Sequence, residues 1–261
     1  MDIAPLKSKL AAGRRVMGVW SVVANATLVE IAARAGLDFH ILDMEHGAYD
    51  FGTLEQAIRA AECGGSAPLV RVPDLTPSTF QRVLDLGAHG LIVPQIRNAA
   101  DAELAVRYAT YAPRGQRGYN PFTRVADYAA PSSASTGKMK PSFLTLGVIV
   151  ENETAYRDLP AICAIADIDI VYLGVYDMSL ALGCDGDVNH PRVKEFVASA
   201  SRTILAAGKT IGMMARSAQA AEAAIKSGAR MIVGGVDSNI AYQSFEAMSG
   251  WVGSVEAKDG S

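Results

Sequence analysis

Hydrophobic and polar positions follow two rhythms along this chain. Amphipathic stretches with helical spacing end in glycine, and one or two residues later a short, almost wholly apolar run begins. The pattern occurs at Ala35-Gly36-Leu37 before Phe39-His40-Ile41-Leu42 and at Leu86-Gly87 before Leu91-Ile92-Val93. It returns at Ala207-Gly208 before Thr210-Ile211-Gly212-Met213 and at Ser227-Gly228 before Met231-Ile232-Val233. A glycine just past a helix takes the left-handed conformation that closes it. An apolar run without polar alternation suits a strand of a parallel sheet covered on both faces.

Eight such strands are predicted, at Val16–Val22, Phe39–Met44, Pro68–Val72, Gly90–Pro94, Leu146–Glu151, Asp169–Gly174, Thr210–Met214 and Arg230–Gly234. Helices fall between most of them. Leu28, Ile31, Ala32 and Ala35 read as one apolar face behind Asn25 as N-cap. Thr53-Leu54-Glu55-Gln56 reads as a capping box. Thr76-Pro77 opens a helix with Phe80, Val83 and Leu84 inward, and Val193, Phe196, Val197, Ala200 and Ile204 line another after Pro191. Strands alternating with helices over about 250 residues predict one (β/α)8 TIM barrel spanning residues 1–261. A doubly wound sheet is the alternative, but no G-x-G-x-x-G follows the first strand. Tyr111 to Phe143 breaks the rhythm with four prolines (Pro113, Pro121, Pro131, Pro141) and the Ser-Thr-Gly-rich run 132–137. A loop this long is usually functional or mobile. It follows the fourth helix, so it should begin at the floor of the barrel. The tail after Trp251 reads as a solvated end.

Composition changes this picture little. With 50% hydrophobic and 20% charged residues the chain is globular, and a formal charge of −3 carries no nucleic-acid footprint. No run approaches the roughly 18–20 apolar residues of a membrane span, and Met1–Leu10 has no apolar signal core. Cys63, Cys163 and Cys184, odd in number and without a CxxC, read as buried small hydrophobes in a reducing cytoplasm.

Barrel enzymes build their sites at the C-terminal ends of the strands. Those ends carry Asp43-Met44-Glu45-His46, Arg71, Pro94-Gln95, Glu151, Asp177 (after Gly174-Val175-Tyr176), Met213-Met214 and Gly234-Gly235-Val236-Asp237. Glu151 and Asp177 cap neighbouring strands. Two close carboxylates need a proton or a cation between them, and such a pair suits a hard ion such as Mg2+ or Mn2+. The plainer alternative is two separate salt bridges, or Asp177 capping Met178–Leu182. Arg71 can clamp a carboxylate substrate, or form an internal ion pair with Asp43 or Glu45. His46 can carry protons near neutral pH, or simply end its strand. None of the eight lysines lies at a predicted C-terminal strand end, which argues against Schiff-base chemistry. Trp20, Tyr119, Phe122, Tyr176 and Met213 are candidates for the pocket rim or for the core. Gly234-Gly235 is a weak candidate phosphate cradle.

At these residues the chain resembles the metal-dependent, class II pyruvate aldolases of the HpcH/HpaI aldolase family. The resemblance runs from Gly18-Val19-Trp20 to Gly235-Val236-Asp237. It rests on the joint order of Leu42-Asp43-Met44-Glu45-His46, Val70-Arg71, Leu84-Asp85-Leu86-Gly87-Ala88, Val93-Pro94, residues Tyr111 to Gly118, Glu151 and Gly174 to Ser179. It implies a barrel of the phosphoenolpyruvate/pyruvate-binding type whose last helix packs on a partner subunit, in hexamers built from dimers. It implies Mg2+, Mn2+ or Co2+ on Glu151 and Asp177, and cleavage or formation of 4-hydroxy-2-oxo acids, through a pyruvate enolate, to pyruvate and an aldehyde. Arg71 would hold the oxygen on which charge develops, and Gly174, Val175 and Tyr176, with Trp20 and Glu45, would surround the keto acid. His46 would move protons, with Asp85 of a neighbouring subunit orienting it. Aromatic or sugar acid catabolism in the cytoplasm is the implied setting. Relatives often carry Gln where this chain has Ile149, and Pro where it has Val175. These departures motivate a catalytically weak keto-acid binder as one alternative to aldol cleavage, and a citrate-lyase-β-like acyl-CoA lyase stands as another.

Overall fold

The computed structural model describes residues 6–130 and 143–259, with side chains as far as Trp251. Eight parallel strands close into one barrel in sequence order: β1 (Val16–Ser21), β2 (Phe39–Asp43), β3 (Ala67–Arg71), β4 (Gly90–Val93), β5 (Thr145–Val150), β6 (Ile170–Leu173), β7 (Thr210–Met214) and β8 (Met231–Val236). Helix α1 (Leu6–Ala11) precedes β1. Around the barrel lie α2 (Ala26–Arg34), α3 (Phe51–Gly64), α4 (Pro77–Asp85), α5 (Ala99–Ala109), α6 (Glu153–Arg157), α7 (Leu159–Ala164), α8 (Val175–Ala181), α9 (Pro191–Ala206), α10 (Ala218–Lys226) and α11 (Asp237–Asp259). This is the expected (β/α)8 TIM barrel. The glycines of the recurring pattern, Gly36, Gly87, Gly208 and Gly228, all have positive φ, so each closes a helix and turns the chain into the next strand.

The core has two layers because successive strand residues face opposite ways. Inside the barrel pack Trp20, Phe39, Ile41, Leu69, Ile92, Ile149, Ile170, Tyr172, Met231 and Val233, with Leu6 and Leu10 of α1 joining them. Between strands and helices lie Leu42, Val70, Leu91, Val148, Val171, Leu173, Ile211 and Met213 against Leu54, Ile58, Phe80, Val83, Leu84, Phe196 and Ile204.

Several local expectations change. On α2, Val29 and Ala33 are the buried residues and Ile31 is 60% exposed. The neighbour decides this face: at Gly64 of α3 a Cβ would lie 2.3 Å from that of Ala33, so the helices touch there and Ile31 turns outward. The capping box of α3 is formed by Asp50 and Thr53, one turn earlier than Thr53–Gln56. Cys63 is exposed, whereas Cys163 and Cys184 are buried thiols. The described part of the long loop lies at the floor. There Arg117 pairs with Asp85 at 2.9 Å, Gly118 and Gln81 exchange hydrogen bonds, and Arg124 binds Glu62 and the Leu86 carbonyl. Pro131, Pro141 and the 132–137 run lie outside the described residues. The backbone after Trp251 continues α11 to Asp259. Among the described residues no helix is long and apolar enough to cross a membrane.

Candidate active site

The inward-facing residues at the C-terminal strand ends surround a cavity of about 360 Å³, within the size range of small-ligand sites. Register builds its first element. Asp43 of β2 stands opposite Arg71 of β3, so their side chains meet directly. Arg71 Nε donates to Asp43 Oδ1 at 2.8 Å and Nη2 donates to Oδ2, while Nη1 lies 2.9 Å from Glu45. The Trp20 indole N–H donates to Asp43 Oδ2 at 3.0 Å, and its ring stacks under the guanidinium at 4.7 Å. The Glu45 and His46 amides also reach Asp43 Oδ1, at 2.9 and 3.2 Å. Burial works against the Asp43 charge, but Arg71 and these amides outweigh it and hold the carboxyl below the ordinary range. The internal ion pair weighed for Arg71 therefore exists with both Asp43 and Glu45. It does not withdraw Arg71 from the site, because the arginine still lines the cavity.

Glu151 follows β5 and Asp177 sits in the first turn of α8, and both line the cavity. Because α8 starts at Val175, Asp177 lies inside the helix and does not cap it. Glu151 Oε1 accepts the Gln95 N–H at 2.6 Å. Burial above all, with the nearby Asp177 and Glu45 charges adding to it, pushes the Glu151 carboxyl up to about 7. Gly174 makes the geometry possible, since a Cβ there would lie 2.6 Å from that of Glu151 and 3.0 Å from Ile149. Substituting Gly174→Ala should push the Glu151 side chain aside and cost about 1–3 kcal/mol of stability by overpacking, which a urea melt measures.

The donor set fits a hard divalent cation. Two carboxylates, one with its charge disfavoured by burial and by a like neighbour, face the same space. Among the described residues no group of three or more His, Cys, Asp or Glu could hold a metal ion. Protein would therefore supply only part of an oxygen shell, as is usual for Mg2+.

His46, Gly174, Val175, Tyr176 and Trp20 also line the cavity, and Glu45 stands behind Arg71, outside the lining. Asp85 is not brought to the site within one chain. It ends α4 at the opposite face of the barrel, held by Gln81 and Arg117. Tyr119 and Phe122 are exposed, on the loop whose neighbouring residues bind α3 and α4 at the floor. Met213 packs outward against the helices and Met214 takes its place in the cavity. Asp237 holds the Val22 and Val23 amides at 3.0 and 3.2 Å, bracing the rim.

Sequence reasoning missed three contributors. Tyr172, edge-on to Trp20, forms part of the apolar wall, and burial keeps its phenol neutral. Gln95, at φ 55°, joins two clusters: its amide N–H binds Glu151, and its side chain donates to Glu45 Oε1 at 2.7 Å. Non-glycine residues in this region are uncommon and gather at functional sites. Gln95 was visible at a strand tip, but nothing in the sequence signals its backbone conformation. Arg216, just after β7, also lines the cavity.

A barrel whose acidic, basic and apolar residues converge on one mouth is an enzyme scaffold, and the sequence supplies its family. Residues 16–244 match the HpcH/HpaI aldolase/citrate lyase family, and the chain belongs to that family, as a class II aldolase, a carbon–carbon lyase. It is 32% identical over 247 residues to the 5-keto-4-deoxy-D-glucarate aldolase of Escherichia coli (strain K12), covering 92% of this chain and 93% of that one. It is similar in structure to an HpcH/HpaI aldolase/citrate lyase family protein from Burkholderia cenocepacia J2315, with TM-score 0.88, 28% identity and coverage of 95% and 98% of the two chains. The HpcH/HpaI aldolase of Desulfitobacterium hafniense DCB-2 gives TM-score 0.86, 30% identity and coverage of 94% and 96%.

Proposed function

We propose that this protein cleaves, or in reverse forms, 4-hydroxy-2-oxo acids, giving pyruvate and an aldehyde. The observation that carries the reading is the convergence of Glu151, Asp177 and Arg71 on one cavity, with the Glu151 charge disfavoured until a cation joins it. Glu151 and Asp177 would hold a divalent ion, which when bound would supply Lewis-acid stabilisation of the negative charge that develops on the keto oxygen. Arg71, fixed by Asp43, directs an uncommitted N–H at that oxygen. The amides near Val175–Asp177 receive the substrate carboxylate, and Trp20 and Tyr172 exclude water beside it. His46 takes the proton of the 4-hydroxyl as the C3–C4 bond breaks and the aldehyde leaves. The pyruvate enolate is then protonated at C3. Asp85 serves His46 only from another copy, because within one chain it lies at the far face. We therefore propose a homo-oligomer, a hexamer built from dimers, with the exposed Ile240, Tyr242, Phe245 and Met248 of α11 in its contacts.

The test is coupled pyruvate release across sugar-derived and aromatic 4-hydroxy-2-oxo acids, with Mg2+, Mn2+ or Co2+ and with EDTA. Metal-dependent release from at least one of them is expected. Tight metal-dependent oxalate binding without any cleavage would instead support a keto-acid binder. The raised Glu151 carboxyl sets the pH dependence. Below about pH 7 a metal must displace its proton, so affinity should fall about tenfold per pH unit below 7 and level off above it. Calorimetry in two buffers of different ionisation enthalpy should find about one proton released per metal at pH 6 and few at pH 8.

A further inference from the structure

Two permanently charged cations line the cavity, and their circumstances differ. Arg71 is ion-paired with two carboxylates, Asp43 on one side and Glu45 on the other. Arg216 is not. Its Nη2 donates to the Asn239 side-chain oxygen at 2.7 Å, and among the described residues no carboxylate lies within ion-pair distance of it. Its position is nevertheless well fixed. Only Ala215 and Arg216 separate the end of β7 from Ser217, the N-cap of α10; the Ala215 amide is tied to Val233, and the Ser217 side chain caps Ala220. Asn239 comes from the first turn of α11, so the two side chains meet from adjacent βα units at the rim.

Arg71 on β3 and Arg216 after β7 lie four strands apart in the eight-stranded ring, on opposite walls of the mouth. A keto acid seated at the β5–β6 tips with its oxo oxygen toward Arg71 must extend its remaining carbons away from Arg71. The path there is apolar, along Tyr172, Met214 and Val236, until it reaches the outer, exposed guanidinium. An unpaired arginine with a neighbouring amide is a planar donor set matched to a carboxylate.

Resting on the aldolase reading above, we propose that Arg216, with Asn239, receives a carboxylate at the far end of the substrate, so that this chain prefers hydroxy-oxo diacids over monoacids of equal length. Arg216 is a specificity residue, remote from the bond that breaks.

The experiment is calorimetric titration of the Mg2+-loaded protein with pyruvate, 2-oxoadipate and 2-oxohexanoate. The last two share a six-carbon 2-oxo acid skeleton and differ in a terminal carboxylate. The wild type should bind 2-oxoadipate about 10–100-fold more tightly than 2-oxohexanoate, the range expected of a charge-assisted hydrogen bond. In Arg216→Met that ratio should fall to within about twofold of unity, and Arg216→Lys should restore part of it. Equal binding of the two acids by the wild type, or a ratio that survives Arg216→Met, overturns the proposal. If pyruvate itself shows no Mg2+-dependent binding, the aldolase reading fails and this proposal fails with it. Pyruvate binding with no diacid preference removes this proposal alone.

Discussion

Glu151→Gln should raise the melting temperature of the metal-free protein at pH 8 and, in the presence of Mg2+, reduce pyruvate release by at least about a thousandfold. The two effects share one cause. Burial and the nearby Asp177 lift the Glu151 carboxyl from 4.5 to about 7. Stability linked to a raised pKa is fully present below the unfolded value and is lost as pH rises through the folded one. Above pH 7 the native state therefore carries a disfavoured charge, which glutamine lacks. Glutamine keeps an oxygen to accept the Gln95 amide, so the packing is retained. Each pKa unit is worth about 1.4 kcal/mol. Allowing for partial solvation, we expect a gain of about 2 kcal/mol, or roughly 4–8 °C, at pH 8, shrinking toward pH 5. The catalytic loss follows because an amide is a poor ligand for a hard cation, and a Lewis acid contributes several kcal/mol. Scanning calorimetry in EDTA at pH 5 and pH 8, beside the pyruvate assay, measures both. A variant that is less stable at pH 8, or that retains full turnover, contradicts this account of Glu151.

Arg71→Met should have the largest structural effect. The wild-type arginine neutralises Asp43, which is fully buried, and borders Glu45. Removing one partner of a buried pair leaves an uncompensated charge and costs about 3–5 kcal/mol. The Asp43 contribution to the pH dependence should change sign. In the wild type the depressed Asp43 carboxyl adds stability that is present above its unfolded value and lost as acid protonates it. Without Arg71, burial dominates and the carboxyl shifts upward. The variant's deficit relative to the wild type should then shrink as pH falls from 8 to 5, beyond the Glu151 contribution that both proteins share, which urea melts of both at the two pH values will show. Arg71→Lys keeps a charge but not the two-pronged fork. It should lose less stability and still lose about 10²–10³ in kcat.

Many of the residues named from sequence meet at one mouth. Glu151, Asp177, Arg71, His46, Gly174, Val175, Tyr176 and Trp20 surround one cavity. They were legible because glycine-terminated helices and short apolar runs mark where each strand begins and stops, and a parallel barrel gathers the stops at one end. Side-chain facing was less legible. Met213 and Met214 are adjacent and both apolar, so no polar contrast says which one turns inward. The same holds on α2, where Ile31 lost its expected burial to Val29 and Ala33 through contact with α3 at Gly64.

By itself, then, the order of residues determined the eight strands, the turns between them and the chemical kinds of side chain delivered to the mouth, because these depend on local periodicity and on glycine's backbone freedom. Tertiary structure alone decided that Arg71 is shared by Asp43 and Glu45, that Gln95 adopts a left-handed backbone to join Glu45 with Glu151, that Asp85 stands at the far face, and that Arg216 reaches the rim without a carboxylate partner among the described residues. Those outcomes depend on the stagger of a closed barrel, which sets residues distant in sequence within hydrogen-bond reach and leaves no trace in the spacing of any one segment.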